Sequence, residues 1–273
     1  MTDSSHTPSI GGSDCLVMGV VNVTPDSFSD GGRYANASAA IGHALAMIDD
    51  GADIVDIGGE STRPGALGVS EAAELDRVIP VIEGLRRQTD RMLSIDTSKP
   101  VVMREAVAAG ATLINDVNAL RADGALECAV AAGVPVCLMH MRGEPRTMQV
   151  SPEYGDVVTE VTDFLASRAR ICEAAGIAAS RIIIDPGIGF GKRPEHNLTL
   201  IRQLDRLVSL GYPVLVGVSR KSLIGHVTGR SVNHRLAGSL AFAMLARQRG
   251  AAILRVHDVA QTVDALRVLQ AVD

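Results

Sequence analysis

Eight short apolar runs with strand-like composition punctuate the chain, and longer segments of helical spacing separate them. The runs are Cys15 to Val23, Ile54 to Ile57, Met92 to Ile95, Thr112 to Ile114, Pro135 to Met139, Ile182 to Ile184, Pro213 to Val218 and Ala252 to Val256. They are continuously apolar, the pattern of strands buried on both faces in a parallel sheet covered by helices. Between them apolar residues return every three or four positions, as at Leu198, Ile201, Leu204 and Val208, or Val259, Val263, Leu266 and Leu269. Gly51, Gly110, Gly133, Gly211 and Gly250 stand where a helical stretch stops shortly before a strand, positions suited to a left-handed cap. Eight such units in 273 residues fit a (β/α)8 TIM barrel, a fold of typically about 250 residues. A doubly wound open sheet is the alternative. No Pro/Gly/Ser linker divides the chain, so residues 15–273 form one domain after a polar N-terminal tail, residues 1–14.

Composition narrows the partners. The chain carries 26 Lys plus Arg against 31 Asp plus Glu, with 3% aromatics and no Trp, which argues against a base-stacking nucleic-acid surface. No apolar run approaches the roughly 18 residues of a membrane span. The opening stretch lacks the basic and apolar parts of a secretory signal, so the expected location is cytoplasmic. Cys15, Cys128, Cys137 and Cys172 have no zinc-type spacing and read as reduced, buried thiols.

The apolar runs end in polar residues: Asn22, Asp56, Asp96, Asn115 with Asp116, His140, Asp185, Ser219 with Arg220 and Lys221, and Arg255 with His257. In this barrel the C-terminal strand ends converge on one mouth, where its active sites lie. Taken singly, Asp56 or Asp116 is as well explained as a helix cap or loop anchor. Eight polar ends in succession point to a polar ligand gripped from all sides.

Three segments add detail. Asp185-Pro-Gly-Ile-Gly-Phe-Gly-Lys is a loop whose glycines allow close approach to a ligand, but Lys192 is followed by Arg193, so it is no Walker loop. Ser219-Arg-Lys-Ser and Arg255-Val-His fall after strands 7 and 8, the recurrent phosphate site of the barrel, and gather three cations into an anion-binding pole. The loops from Asn22 and from Gly58 are long and Gly-rich, as active-site lids tend to be. Arg63 offers a further cation, and Asn22 an oxygen ligand for Mg²⁺, which takes few protein ligands alongside phosphate oxygens.

Asn22-Val-Thr-Pro-Asp-Ser-Phe-Ser-Asp-Gly-Gly, Gly58-Gly-Glu-Ser-Thr-Arg-Pro-Gly, Asp96-Thr-Ser, Asn115-Asp, Met139-His-Met-Arg-Gly, the Asp185 loop, Ser219-Arg-Lys-Ser and Arg255-Val-His-Asp together resemble the dihydropteroate synthase family of bacterial folate biosynthesis, from about residue 15 to the C-terminus. The resemblance implies a homodimeric barrel, a transferase joining 6-hydroxymethyl-7,8-dihydropterin diphosphate to p-aminobenzoate with release of pyrophosphate. It implies that Thr62, Asp96, Asn115, Asp185, Lys221 and Arg255 hold the pterin. Asn22, Arg63, Arg255 and His257 would hold the diphosphate with Mg²⁺, Asn22 serving as metal ligand. Phe28, Pro64, Phe190, Lys221 and Ser222 would shape the p-aminobenzoate pocket, where sulfonamides compete. Asp96, Lys221, Arg255 and His257 are the implied catalytic set.

These residue types suit the reaction. A carboxylate such as Asp185 accepts paired donors from a pterin edge, and Asn115 both gives and accepts. As the C–O bond to diphosphate breaks, negative charge grows on the leaving group and positive charge spreads into the pterin, so cations belong at one pole and carboxylates at the other. The expected substitution is dissociative and needs no strong base, because the attacking arylamine becomes acidic as its bond forms. A pterin-dependent methyltransferase is the nearest rival, but it needs no diphosphate pocket of the kind Lys221, Arg255 and His257 would form. A non-catalytic pterin-binding homologue is the rival from another class.

Overall fold

The computed structural model describes residues 10, 12, 14–24, 32–61, 68–144 and 147–272, with the backbone alone for residues 32–36. Eight parallel strands form the sheet: β1 (Leu16–Asn22), β2 (Ile54–Gly58), β3 (Met92–Asp96), β4 (Leu113–Asp116), β5 (Val136–Met139), β6 (Ile182–Asp185), β7 (Leu215–Val216) and β8 (Ile253–Val256). Their order is β6-β5-β4-β3-β2-β1-β8-β7. The ring closes between β6 and β7, where Ile184 pairs with Val214 and its N–H donates to Pro213 O at 3.0 Å. Closure decides for the barrel over the open sheet. β7 is shorter than its apolar run because the chain turns early, Lys221 N–H donating to Val218 O at 3.3 Å.

Around the strands lie α1 (Gly32–Asp49), α2 (Glu71–Arg86), α3 (Pro100–Ala108), α4 (Ala125–Ala132), α5 (Val157–Ala174), α6 (Pro194–Arg202), α7 (Leu204–Val208), α8 (Ser222–Thr228), α9 (Leu236–Gln248) and α10 (Val259–Gln270). The stripe from Leu198 to Val208 is divided into α6 and α7 at Gln203, but Leu200, Ile201, Leu204 and Leu207 keep one buried face across the break. The five glycines expected to stop helices all have positive φ, from 65° at Gly133 to 117° at Gly110.

Side-chain alternation along the strands divides the interior into layers. One cluster fills the space between sheet and helices. A second, inside the barrel, consists of Leu16, Met18, Ile54, Leu113, Cys137, Ile183, Leu215 and Ile253, with Ile10 of the N-terminal segment packed beneath it. Burying a side chain of this kind contributes about 1.5–3 kcal/mol. Two residues further along the same inward row stand Asp56, Asn115, Met139, Asp185, Gly217 and Arg255. A dry floor therefore carries a polar ceiling at the C-terminal end.

Candidate active site

Arg255 organises the ceiling. Its Nε donates to Asp56 Oδ2 at 2.6 Å and its Nη2 to Asp96 Oδ2 at 2.8 Å, while Asn115 Nδ2 donates to the same Asp56 oxygen at 3.1 Å. Four strands, β2, β3, β4 and β8, meet in this one network. Burial works against the Arg255 cation, but Asp56 and Asp96 hold its pKa above the ordinary value. Asp96 is pushed up to about 7, first by burial and then by Asp56, with Arg255 pulling the other way. Asp56 is wholly buried, and its Oδ1 has no hydrogen-bond partner among the described residues.

The second group comes from β6 and the loop after β7. Asp185 Oδ1 accepts from Gly187 N–H at 2.7 Å; burial raises its pKa, opposed by Lys221, by that N–H and by Lys192. Lys221 Nζ donates to Ile188 O and lies 4.7 Å from the centre of the Phe190 ring. Burial lowers the Lys221 pKa to about 8, with Asp185 opposing and Arg255 adding to the shift. The two groups adjoin at Gly217, where an added Cβ would meet Arg255 Cβ at 3.6 Å and Lys221 Nζ at 3.7 Å. Any side chain at 217 would fill the space between the cations.

The third flank is the turn after β7. Ser219 Oγ accepts from His257 N–H at 3.2 Å and lies 3.1 Å from His257 Nδ1, tying the ends of β7 and β8 together. Lys221 caps α8, so Ser222 is its first residue. Arg220 departs from the expected cluster of cations: with φ at +58° it turns outward and forms a two-point ion pair with Asp258. Asn22 ends β1 in register with Gly58.

Thus Asp96, Asn115, Asp185, Phe190, Lys221 and Arg255 converge, and Asn22, Ser222 and His257 stand at the ends of the neighbouring elements. Phe28, Thr62, Arg63 and Pro64 lie outside the described residues. Asp116 follows inward Asn115 and so faces the other way, accepting from Ser98 Oγ and from the N–H groups of Asn118 and Leu120 at 2.7 and 2.8 Å. It anchors the β4 loop. His140 turns to Lys192, whose Nζ lies 2.9 Å from its Nδ1, and burial lowers the imidazole to about 3. Two buried participants had no ligand role assigned from sequence: Asp56, a polar strand end equally explained there as a cap or anchor, and Lys192, named only as part of the glycine loop. Strand parity was the available signal for Asp56, which shares the inward row with Ile54.

A barrel mouth in which a buried arginine binds two carboxylates, with Asp185 and Lys221 close enough to act on each other electrostatically, is an enzyme site suited to a polar, charge-bearing ligand. Residues 18–257 match the family described as pterin binding enzyme. The dihydropteroate synthase of Escherichia coli is 51% identical over 93% of this chain and 90% of its own. Among solved structures, Xanthomonas albilineans dihydropteroate synthase with 4-aminobenzoic acid is 57% identical with a TM-score of 0.91, covering 95% of this chain and 93% of that one. The Yersinia pestis enzyme in a sulfonamide drug complex is 50% identical with a TM-score of 0.90, covering 95% and 94%. The chain belongs to the pterin-binding enzyme family and, within it, to the dihydropteroate synthases.

Proposed function

We propose that this chain condenses 6-hydroxymethyl-7,8-dihydropterin diphosphate with p-aminobenzoate, giving 7,8-dihydropteroate and pyrophosphate. The observation that carries the reading is the junction at Gly217 between the Arg255–Asp56–Asp96–Asn115 network and the Asp185–Lys221 pair. Asp185 and Asn115 hold the pterin edge, and Asp96 stabilises the positive charge that grows on the ring. Arg255, Lys221 and His257 face the departing diphosphate. Phe190, Lys221 and Ser222 receive p-aminobenzoate, the ring packing against Phe190; the roles that the resemblance implies for Phe28, Thr62, Arg63 and Pro64 fall on positions outside the described residues. The methyltransferase reading is disfavoured because nothing in methyl transfer uses the Lys221–Arg255 pair. The test is product analysis with pterin diphosphate and labelled p-aminobenzoate: labelled dihydropteroate and equimolar pyrophosphate support the reading, and binding without turnover would contradict it.

A single neutral oxygen ligand such as Asn22 suits a Mg²⁺ ion that is otherwise held by phosphate oxygens and water. Bound there, the ion would neutralise charge on the leaving diphosphate. The chain's own groups supply the rest of that pole. A chelator is expected to slow turnover and excess Mg²⁺ to restore it. A homodimer accords with the exposed Val227 on α8, Val232 in the turn that follows, and Leu236 and Leu245 on α9, apolar side chains 39% to 53% accessible. Light scattering should give twice the 28.6 kDa chain mass, and a monomer at micromolar concentration would refute it. Among the described residues no helix is long and apolar enough to cross a membrane, which accords with a cytoplasmic enzyme.

A further inference from the structure

Lys192 closes the glycine loop and is only 2% exposed. Its ammonium faces backbone: Nζ donates to Gly187 O and Phe190 O, both at 3.0 Å, and to His140 O at 3.2 Å, and lies 2.9 Å from His140 Nδ1. Three protons thus meet four acceptors, so the group is saturated and held in place. Gly187 and Phe190 bracket Ile188 and Gly189. Within that bracket lies the Ile188 carbonyl that accepts from Lys221, and at its end the Phe190 ring beside the same ammonium. Asp185 has ties outside the loop as well, its β5 pairing with Met139 and His140 N–H donating to Asp185 O at 2.9 Å, besides the Gly187 N–H that its Oδ1 accepts.

We infer that Lys192 is a positioning residue: it holds the Ile188 carbonyl and the Phe190 ring against Lys221, and so sets affinity for the arylamine substrate without touching either substrate. Glycine is required where the loop bends around it, because a Cβ at Gly187 or Gly191 would collide with the carbonyl oxygens of His140 and Arg142. Burial lowers Lys192 to about 7, with Asp185 opposing the shift.

The inference rests on the placing of p-aminobenzoate at Phe190 and Lys221. Steady-state kinetics on Lys192→Met and Lys192→Gln test it. KM for p-aminobenzoate should rise about tenfold in Lys192→Met, the effect of removing one well-placed hydrogen bond from the pocket. It should rise less in Lys192→Gln, and in Lys192→Met KM for pterin diphosphate should rise at least about threefold less than KM for p-aminobenzoate, because only the arylamine site also depends on the Phe190 ring. Equal rises for both substrates, a fall in kcat or melting temperature alone, or failure of both variants to fold would overturn the inference and leave Lys192 merely structural. A wild-type protein that makes no dihydropteroate would sink the substrate reading instead. Lys192 would still be tested then: the Lys221 ammonium, followed by NMR titration, should shift in Lys192→Met, and an unmoved titration would overturn its role.

Discussion

Arg255 shows why single residues matter so much at this mouth. A buried cation is tolerated only where partners replace its lost water, and Asp56 and Asp96 do so from two different strands. The same economy makes Asp185 sensitive to one atom. Asp185→Asn exchanges an acceptor oxygen for a donor amide, so calorimetry should show binding of pterin diphosphate lost, and wild-type affinity would contradict its role. Lys221 gives a pH signature. Its folded pKa lies below that of a free lysine, at about 8, so its positive charge fades as pH rises through that value. Affinity for the diphosphate substrate should therefore fall above about pH 8, and Lys221→Met should bind weakly with that limb flattened. An unchanged limb in the variant would assign the titration elsewhere.

At the scale of elements, the alternation of strands decides which polar residue becomes a ligand and which a fastener. Asn115 and Asp116 are neighbours in the chain at the end of one apolar run; the pleat sends one inward and the other to the β4 loop, the anchoring role that the sequence had left open for Asp116. The eight strands, the glycine stops and the convergence of Asp96, Asn115, Asp185, Lys221 and Arg255 were legible because apolar runs and their polar ends are local properties. Arg220 was misleading, since its charge is evident in sequence but its left-handed backbone, which swings the side chain to Asp258, is not. In the sequence Lys192 is legible only as part of a loop that is not a Walker loop, because the sequence does not show which carbonyls the folded loop closes around it. That loop yields a prediction with an internal control. Gly187→Ala combines φ of +65° with a backbone collision and should lose several times more stability than Gly124→Ala, where φ is +78° but nothing stands within 4 Å. The control should cost about 1–2 kcal/mol from left-handed strain alone. Similar denaturation midpoints for the two variants would contradict the close approach.

Across the whole molecule, the floor of Leu16, Met18, Ile54 and their neighbours leaves one half of the barrel interior apolar, and the charged side chains of the inward rows stand at the other. There the cations Lys221 and Arg255 adjoin the carboxylates Asp56, Asp96 and Asp185 within a protein of net charge −5. Fixed dipoles and charges of this kind lower a barrier when they are aimed at charge that develops in the transition state. The expected consequence is that the C–O bond opens before the amine arrives. Positional isotope exchange measures this directly: the pterin diphosphate carries ¹⁸O in the bridging position and is incubated with the enzyme, Mg²⁺ and an amine-free benzoate. Scrambling of the label into the non-bridging oxygens of recovered substrate is the predicted result. Full retention of the label at the bridge, under conditions where p-aminobenzoate is turned over, would show that the amine must push the diphosphate out.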